Sequence, residues 1–537
     1  MPPIDRDENR PTPRRIAELE AARCAEQDRL DRLKGAGERN RLGQFATPNS
    51  LAVAIARRML GLRGDRAGPA RFLDPSVGTG SFYSAFRQVF PAGMIGEASG
   101  VELDPAFAEA SARLWGGSGL QVIPGDFTRL EPPTDGRLAD LILANPPYVR
   151  HHHLGLEEKA RLRALVGRRL GIEVSGLAGL YAHFVLLADA WLAEGGLAAW
   201  LIPSEFMDVN YGGAIRGYLT DRVRLREIHR FDPLDAQFGD ALVTSALVVF
   251  EKARPDESGP VRMSFGGMPD APARVESAPL ADLRAARKWT NFPRATDSAR
   301  DFAPSATPLG DLFAIRRGLV TGSNEFFILP RDEAQARGLP TRFLRPILPG
   351  PRHLGEPIIE ANADGHPAVD RPLVLLDCDR PEDEVRRDHP ALWAYFQEGV
   401  ARGLHRGYLT SRRTPWYAQE RREPPPFVCT YMGRHRGGRP PFRIFWNRSE
   451  AVAANVYLLL YPKGPLRLAL ASRPGLPAVV FGLLREIRPA HFLEEGRVYG
   501  GGLHKMEPKE LAALPADAIL AAIGREAAPR RARLAGF

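Results

Sequence analysis

Short apolar runs recur along the chain, and each ends on a polar or glycine-rich turn. Phe72-Leu73 runs into Asp74-Pro75-Ser76-Val77-Gly78-Thr79-Gly80, and Val101 into Glu102-Leu103-Asp104-Pro105. Val122-Ile123 runs into Pro124-Gly125-Asp126-Phe127, and Leu141-Ile142-Leu143-Ala144 into Asn145-Pro146-Pro147-Tyr148. Brief apolar runs bounded by turn signals predict strands buried on both faces, as in a parallel sheet. Helical patterns separate them. An apolar helix spans Leu51 to Leu60, with Thr47 placed as its cap and Pro48 at its first position. Another begins near Phe82. A largely buried helix covers residues 180–192, which Gly195-Gly196 ends before a strand over 197–202. Two more strands are predicted over 225–231 and 245–250. At the front, residues 1–13 are polar and proline-rich and expected to be disordered. Over 14–34, Ile16, Leu19, Leu30 and Leu33 stand among alternating Arg and Glu, which predicts a solvent-rich helix lying on the domain that follows.

Strands alternating with helices predict an α/β fold, and open α/β sheets bind ligands outside the carboxyl ends of their strands. All four loaded turns fall at such ends. The glycine turn after Asp74 lets backbone approach a ligand closely, but it is neither the full dinucleotide fingerprint nor a P-loop. An acidic residue opening that loop repels phosphate and attracts cations such as the ammonium and sulfonium of S-adenosylmethionine. Glu102, about 20 residues on, can accept both hydroxyls of a ribose. Asp126 can accept from an adenine amino group while Phe127 packs on its ring. In Asn145-Pro146-Pro147-Tyr148 the prolines stiffen the corner and lack N–H donors. Asn145 Oδ1 and the Pro146 carbonyl form an acceptor pair suited to an exocyclic amino group, with Tyr148 as a stacking face.

Composition narrows the partners. The 537 residues carry 73 Lys and Arg against 64 Asp and Glu, a net charge of +9 with a pI near 9.6, which favours a polyanionic partner. Three cysteines, Cys24, Cys378 and Cys429, lack Cys-x-x-Cys spacing, so neither a disulfide framework nor a thiolate metal site is indicated. His151-His152-His153, read as extended, point alternate ways and do not converge on one ion, so no metal is assigned. With no membrane-length apolar run and no signal-peptide core, a cytoplasmic protein is expected.

Taken in order, Thr47-Pro48, the Asp74–Gly80 loop, Glu102, Asp126 and Asn145-Pro146-Pro147-Tyr148 resemble the gamma-class (TaqI-like) N6-adenine DNA methyltransferases of type II restriction-modification systems. The resemblance spans residues 40 to 515. It implies a Rossmann-like class I S-adenosylmethionine-dependent methyltransferase domain, a seven-stranded sheet with one antiparallel strand, followed by a mixed α/β target-recognition domain. On this reading residues 1–40 are a tail and helix, 41–253 the catalytic domain, 254–308 a linker and 309–537 the recognition domain. The likeness assigns S-adenosylmethionine to Thr47, Asp74, Ser76, Gly78, Gly80, Glu102, Asp126 and Phe127. It assigns catalysis to Asn145, Pro146 and Tyr148. Phe238, in Ala236-Gln237-Phe238-Gly239-Asp240, becomes a second wall for a flipped adenine. Arg316 and Arg317, at the start of the recognition domain, and Arg412, Arg413, Arg434 and Arg436, interleaved with aromatic residues, are expected to contact double-stranded DNA. A separately encoded restriction endonuclease is the implied companion. Asn rather than Ser at the head of the loop favours adenine over cytosine N4. Methylation of RNA or of a protein glutamine, which can use the same Asn-Pro-Pro-Tyr loop, and a non-catalytic specificity subunit are the alternatives.

Overall fold

The computed structural model describes residues 12–64, 66, 68–232, 244–286, 288–292, 307–435, 440–499 and 502–524. The chain divides into two compact units, Met1–Ala299 with Tyr499–Gly501, and Arg300–Val498 with Gly502–Phe537.

The first unit is built on a nine-stranded sheet. Its strands are β1 (Ala70–Asp74), β2 (Ile95–Glu102), β3 (Leu120–Pro124), β4 (Ala139–Ala144), β5 (Leu192–Pro203), β6 (Arg224–Arg230), β7 (Ser245–Glu251), β8 (Val261–Met268) and β9 (Ala271–Ala278), in the order β3-β2-β1-β4-β5-β7-β6-β8-β9. The first five neighbours run parallel. β7 is antiparallel to both β5 and β6. The helices ahead of β5 are α1 (Pro13–Leu33), α2 (Ala36–Leu42), α3 (Asn49–Arg63), α4 (Ser81–Val89), α5 (Pro105–Trp115), α6 (Leu156–Leu170) and α7 (Leu180–Leu187).

Pleating explains why the central strands are apolar throughout. Leu141 and Leu143 join Leu51, Ile55, Phe82 and Phe86 in a core on one face, whereas Ile142 and Ala144 join Leu162, Tyr181 and Val185 in a core on the other. With no face left for water, β4 carries its polar chemistry at its end.

Several local expectations shift. Helix α3 starts at Asn49 with Pro48 as its N-cap and no side-chain cap, one residue later than the sequence pattern suggests, which frees Thr47 for other bonds. The buried helix stops at Leu187, and Gly195-Gly196 is a bulge inside β5: Gly195, at φ +75°, donates to the Lys252 carbonyl at 2.8 Å, and Lys252 donates back to Gly196. Residues 261–278, expected as linker, form the β8–β9 hairpin that widens the sheet. Their alternation was illegible because β9 is an edge strand exposed along most of its length. The three histidines form a single 3-10 turn, and no group of His, Cys, Asp or Glu among the described residues could hold a metal ion.

The second unit carries a five-stranded sheet made of 313–317, 457–462, 427–430, 444–447 and 358–359, and a three-stranded sheet of 328–330, 373–376 and 344–347. Most of the aromatic residues that accompany its arginines are structural. Trp416, Tyr417, Phe427, Tyr431, Phe442 and Phe445 are buried, and Tyr408 is 73% exposed. No described helix of the chain is long and apolar enough to cross a membrane.

Glu227 pins the sheet extension. Its carboxylate is fully buried, 2.6 Å from Arg58 Nε of α3, and it also pairs with Arg262 of β8. Glu227→Ala leaves two guanidinium groups half-buried without their counter-charge, so chemical denaturation is expected to show a loss of about 3 kcal/mol.

Candidate active site

Four consecutive parallel strands deliver their loops to one edge, and backbone hydrogen bonds lace those loops together. After β1 the chain turns back on itself: Asp74 Oδ1 accepts from the Ser76 N–H at 3.0 Å, and the Val77 N–H donates to the Val101 carbonyl at 2.9 Å. Gly78 donates its N–H to Glu102 Oε2 at 2.9 Å, and the Asp104 N–H donates to Glu102 Oε1 at 2.8 Å. The Gly125 N–H reaches the Glu102 carbonyl at 2.8 Å, which ties the β3 turn to β2. Gly80 sits at φ +92°, and a Cβ there would come within 2.4 Å of Trp115 Nε1, which donates to the Thr79 carbonyl. Only glycine fits that turn.

The acidic ends are electrostatically loaded. Burial of Asp74, with the Glu102 charge facing it, pushes its carboxyl up to about 8 despite the Ser76 N–H. Burial raises Glu102 too, against the Asp104 and Gly78 N–H donors and the Lys34 ammonium. A pair of carboxylates that repel each other in a poorly hydrated edge is a site waiting for a cation.

The loop after β4 is held more tightly than its sequence reveals. The Asn145 backbone carbonyl accepts from the Ser76 hydroxyl at 3.0 Å, joining the glycine turn to the Asn-Pro-Pro-Tyr corner. Asn145 Nδ2 donates to the Phe45 carbonyl at 2.9 Å and to Thr47 Oγ1 at 3.1 Å. Both amide hydrogens are thereby used and the amide cannot rotate. Asn145 Oδ1 is left buried without a hydrogen-bond partner. A buried acceptor with nothing to accept from costs the protein its desolvation, on the order of 1–3 kcal/mol, unless a ligand supplies the donor. Tyr148 is 5% exposed, its hydroxyl donating to the Leu201 carbonyl at 3.1 Å and lying 3.4 Å from Ser245 Oγ. Burial raises its phenol above the ordinary range. The Phe45 ring lies 5.5 Å from it, and the Tyr148 N–H donates to the Gly43 carbonyl at 3.0 Å. A Cβ on Gly43 would overlap that backbone at 2.3 Å.

The remaining assigned residues divide. Thr47 reaches the edge through Asn145, not as a helix cap. Asp126 is already engaged, accepting from the Thr128 N–H and hydroxyl at 2.9 and 2.8 Å and pairing with Arg129 at 3.2 Å. Phe127 is 3% exposed, its ring packed 5.4 Å from Phe184 and 5.3 Å from Trp191, so it presents little face on which an adenine can lie. Phe238 lies outside the described residues, as does Arg436. In the second unit Arg316, Arg317 and Arg434 are exposed, and Arg317 also covers the Tyr431 ring at 4.4 Å. Arg412 stacks 3.7 Å over the exposed Tyr408. Arg413 is a strut: its guanidinium donates to the Val320 and Thr321 carbonyls at 2.6 and 2.7 Å. Sequence reading missed the roles of Gly43 and Phe45, which serve through backbone atoms. Their only advertisement was a glycine two residues ahead of an aromatic residue in Gly43-Gln44-Phe45-Ala46-Thr47-Pro48.

The strand order β3-β2-β1-β4-β5-β7-β6 with β7 reversed, and the loaded carboxyl edge, define a class I methyltransferase domain, whose methyl donor is S-adenosylmethionine. Residues 134–236 match the Eco57I restriction-modification methylase family, and residues 289–532 match the C-terminal domain of the type II methyltransferase M.Eco57I. Over 487 residues the chain is 31% identical to the type II methyltransferase M.XamI of Xanthomonas campestris pv. amaranthicola, covering 88% of this chain and 84% of that protein. It is 23% identical to M.AccI of Acinetobacter calcoaceticus, with coverage of 88% and 85%. The DNA-bound type IIL restriction-modification enzyme MmeI superposes with a TM-score of 0.49 at 13% identity, covering 81% of this chain and 61% of that one. The chain belongs to the type II restriction-modification DNA methyltransferases.

The residues present fit S-adenosylmethionine. Once ionised, Asp74 and Glu102 would offer negative charge to its cationic groups and acceptors to its hydroxyls, and the glycine turn leaves room beside Gly78, where an added Cβ would meet nothing within 4 Å. A cation favours the ionised form of Asp74, so cofactor affinity measured by titration calorimetry is expected to rise from pH 6 to pH 8 and level off above, as the carboxyl near 8 no longer has to lose a proton on binding. Asp74→Asn is expected to bind weakly and to flatten that rise. A pH-independent affinity in the unmodified protein contradicts the assignment.

Proposed function

We propose that the protein transfers a methyl group to N6 of an adenine swung out of double-stranded DNA. The observation that carries this reading is the orphaned, immobilised Asn145 Oδ1 at the end of β4, one peptide away from a proline-braced corner. An adenine amino group brings two N–H donors. Asn145 Oδ1 and the Pro146 carbonyl accept one each, which localises the nitrogen lone pair as a nucleophile. When bound, S-adenosylmethionine supplies an electrophilic sulfonium methyl, so no covalent enzyme intermediate is required. The Ser76–Asn145 bond fixes the distance between the cofactor turn and the acceptor pair. Tyr148 forms one wall for the base. Phe238 is assigned as the other wall by likeness to the family loop. Because Tyr148 is nearly covered, stacking a base on its ring requires neighbouring side chains to move.

Membership of a DNA methyltransferase family favours DNA over RNA or a glutamine side chain. The exposed Arg316, Arg317, Arg412 and Arg434 of the second unit supply charge for phosphates, and a restriction endonuclease cutting at the same site is the proposed companion.

Expression in a methylation-free host followed by modification-sensitive sequencing is expected to show N6-methyladenine in one sequence context; N4-methylcytosine, or no DNA mark, overturns the proposal. Asn145→Ala is expected to lower turnover at least about a hundredfold while cofactor affinity stays within a factor of about three. Charge removal at Arg412 and Arg434 is expected to weaken DNA binding uniformly across sequences. It should also flatten the slope of log affinity against log salt by about one for each phosphate no longer neutralised. An unchanged slope removes these residues from the DNA surface.

A further inference from the structure

Helix α1 touches three parts of the active site that are distant in sequence. Near its middle Arg23, 3% exposed and paired with Glu20 at 2.6 Å, donates to Thr79 Oγ1 at 3.1 Å, and the Thr79 hydroxyl donates in turn to Gln27 Oε1 at 2.8 Å. Thr79 stands between the two turn glycines, one of which donates to Glu102. At the C-terminal end of the helix, the Lys34 ammonium is bonded to the Asp104 carboxylate and lies 2.9 Å from Gln44 Oε1 and 5.2 Å from the centre of the Phe107 ring. Asp104 is two residues past Glu102 and donates its N–H to it. Gln44 precedes Phe45, whose carbonyl orients Asn145.

We infer that α1 is a strap for cofactor binding and that Lys34 is its positioning residue: its bond to the Asp104 carboxylate fixes the turn whose N–H holds Glu102 and offsets the Asp104 charge beside it, so that Glu102 accepts from the cofactor as a carboxylate. The inference rests on the reading of Glu102 as an acceptor for the cofactor. Burial and the neighbouring Asp104 charge disfavour the Glu102 carboxylate, and the N–H groups of Asp104 and Gly78 give partial relief. The Lys34 ammonium, 19% exposed and bonded to the Asp104 carboxylate, offsets that like charge. The sequence presents Lys34 as one more cation in a charged helix.

The test is calorimetric binding of S-adenosylmethionine to the full chain between pH 6 and pH 8.5. Lys34→Met and the neutral-donor variant Lys34→Gln are expected to bind several-fold more weakly at the acid end of that range, where a carboxyl raised by burial is least ionised. The deficit is expected to shrink towards pH 8.5, and turnover at saturating cofactor to stay within about twofold. Lys34→Arg restores binding. Affinity unchanged in both variants overturns the inference. So does a loss that is equal at every pH and not rescued by Lys34→Arg, which marks a purely structural role. Lys34→Gln serves where Lys34→Met fails to fold. Glu102→Gln tests the underlying reading separately: if it binds like the unmodified protein, Glu102 is not an acceptor, and the strap falls with it.

Discussion

The Asn145 side-chain amide is the constraint to which the rest of the first unit answers. A primary amide offers two donors and one acceptor and rotates freely unless its donors are engaged. Here the Phe45 carbonyl and the Thr47 hydroxyl engage both, and the Ser76 hydroxyl holds the backbone of the same residue. The acceptor therefore stays in one place, buried and unsatisfied. Such an arrangement is unfavourable for the folded chain by itself, and it leaves the corner ready to accept from a donor that a ligand brings.

Holding that amide explains features that look unrelated. Gly43 is needed because its backbone packs against the Tyr148 backbone, the buried Tyr148 hydroxyl anchors the corner to β5, and α3 begins at Asn49, which leaves Thr47 for the amide. The parallel strands supply stiffness: each is apolar on both faces, so the loops they carry inherit the positional precision of a packed core. At the acidic strand ends the problem is the opposite one. Asp74 and Glu102 crowd acidic groups into a dry edge, and the folded protein tolerates it by protonation of Asp74, by backbone N–H donors to both and by the cation that Lys34 places on the neighbouring Asp104.

The second unit applies its arginines to two different ends. Arg413 commits its donors to backbone carbonyls and shapes a loop, whereas Arg412 lies on an exposed tyrosine and keeps its edge in water. Adjacent residues of one type thus separate into scaffold and surface. Aromatic residues divide in the same way, with Tyr408 exposed while Trp416 and Tyr417 are buried.

Local signals in the sequence determined the parallel strands, the loaded turns at their carboxyl ends and the family that joins them, because an apolar run closed by Asp-Pro or Asn-Pro-Pro has few conformations open to it. Those signals are carried by side chains and by neighbours a few residues apart. Tertiary structure alone decided which atoms of those residues remain available. It turned Thr47 from a cap into an acceptor, closed the Phe127 ring into the core, made strands of residues 261–278 and laid α1 across the glycine turn. The physical reason is that each outcome depends on partners far along the chain, or on backbone carbonyls and edge-strand pairing, and neither leaves a periodic trace in the order of the amino acids.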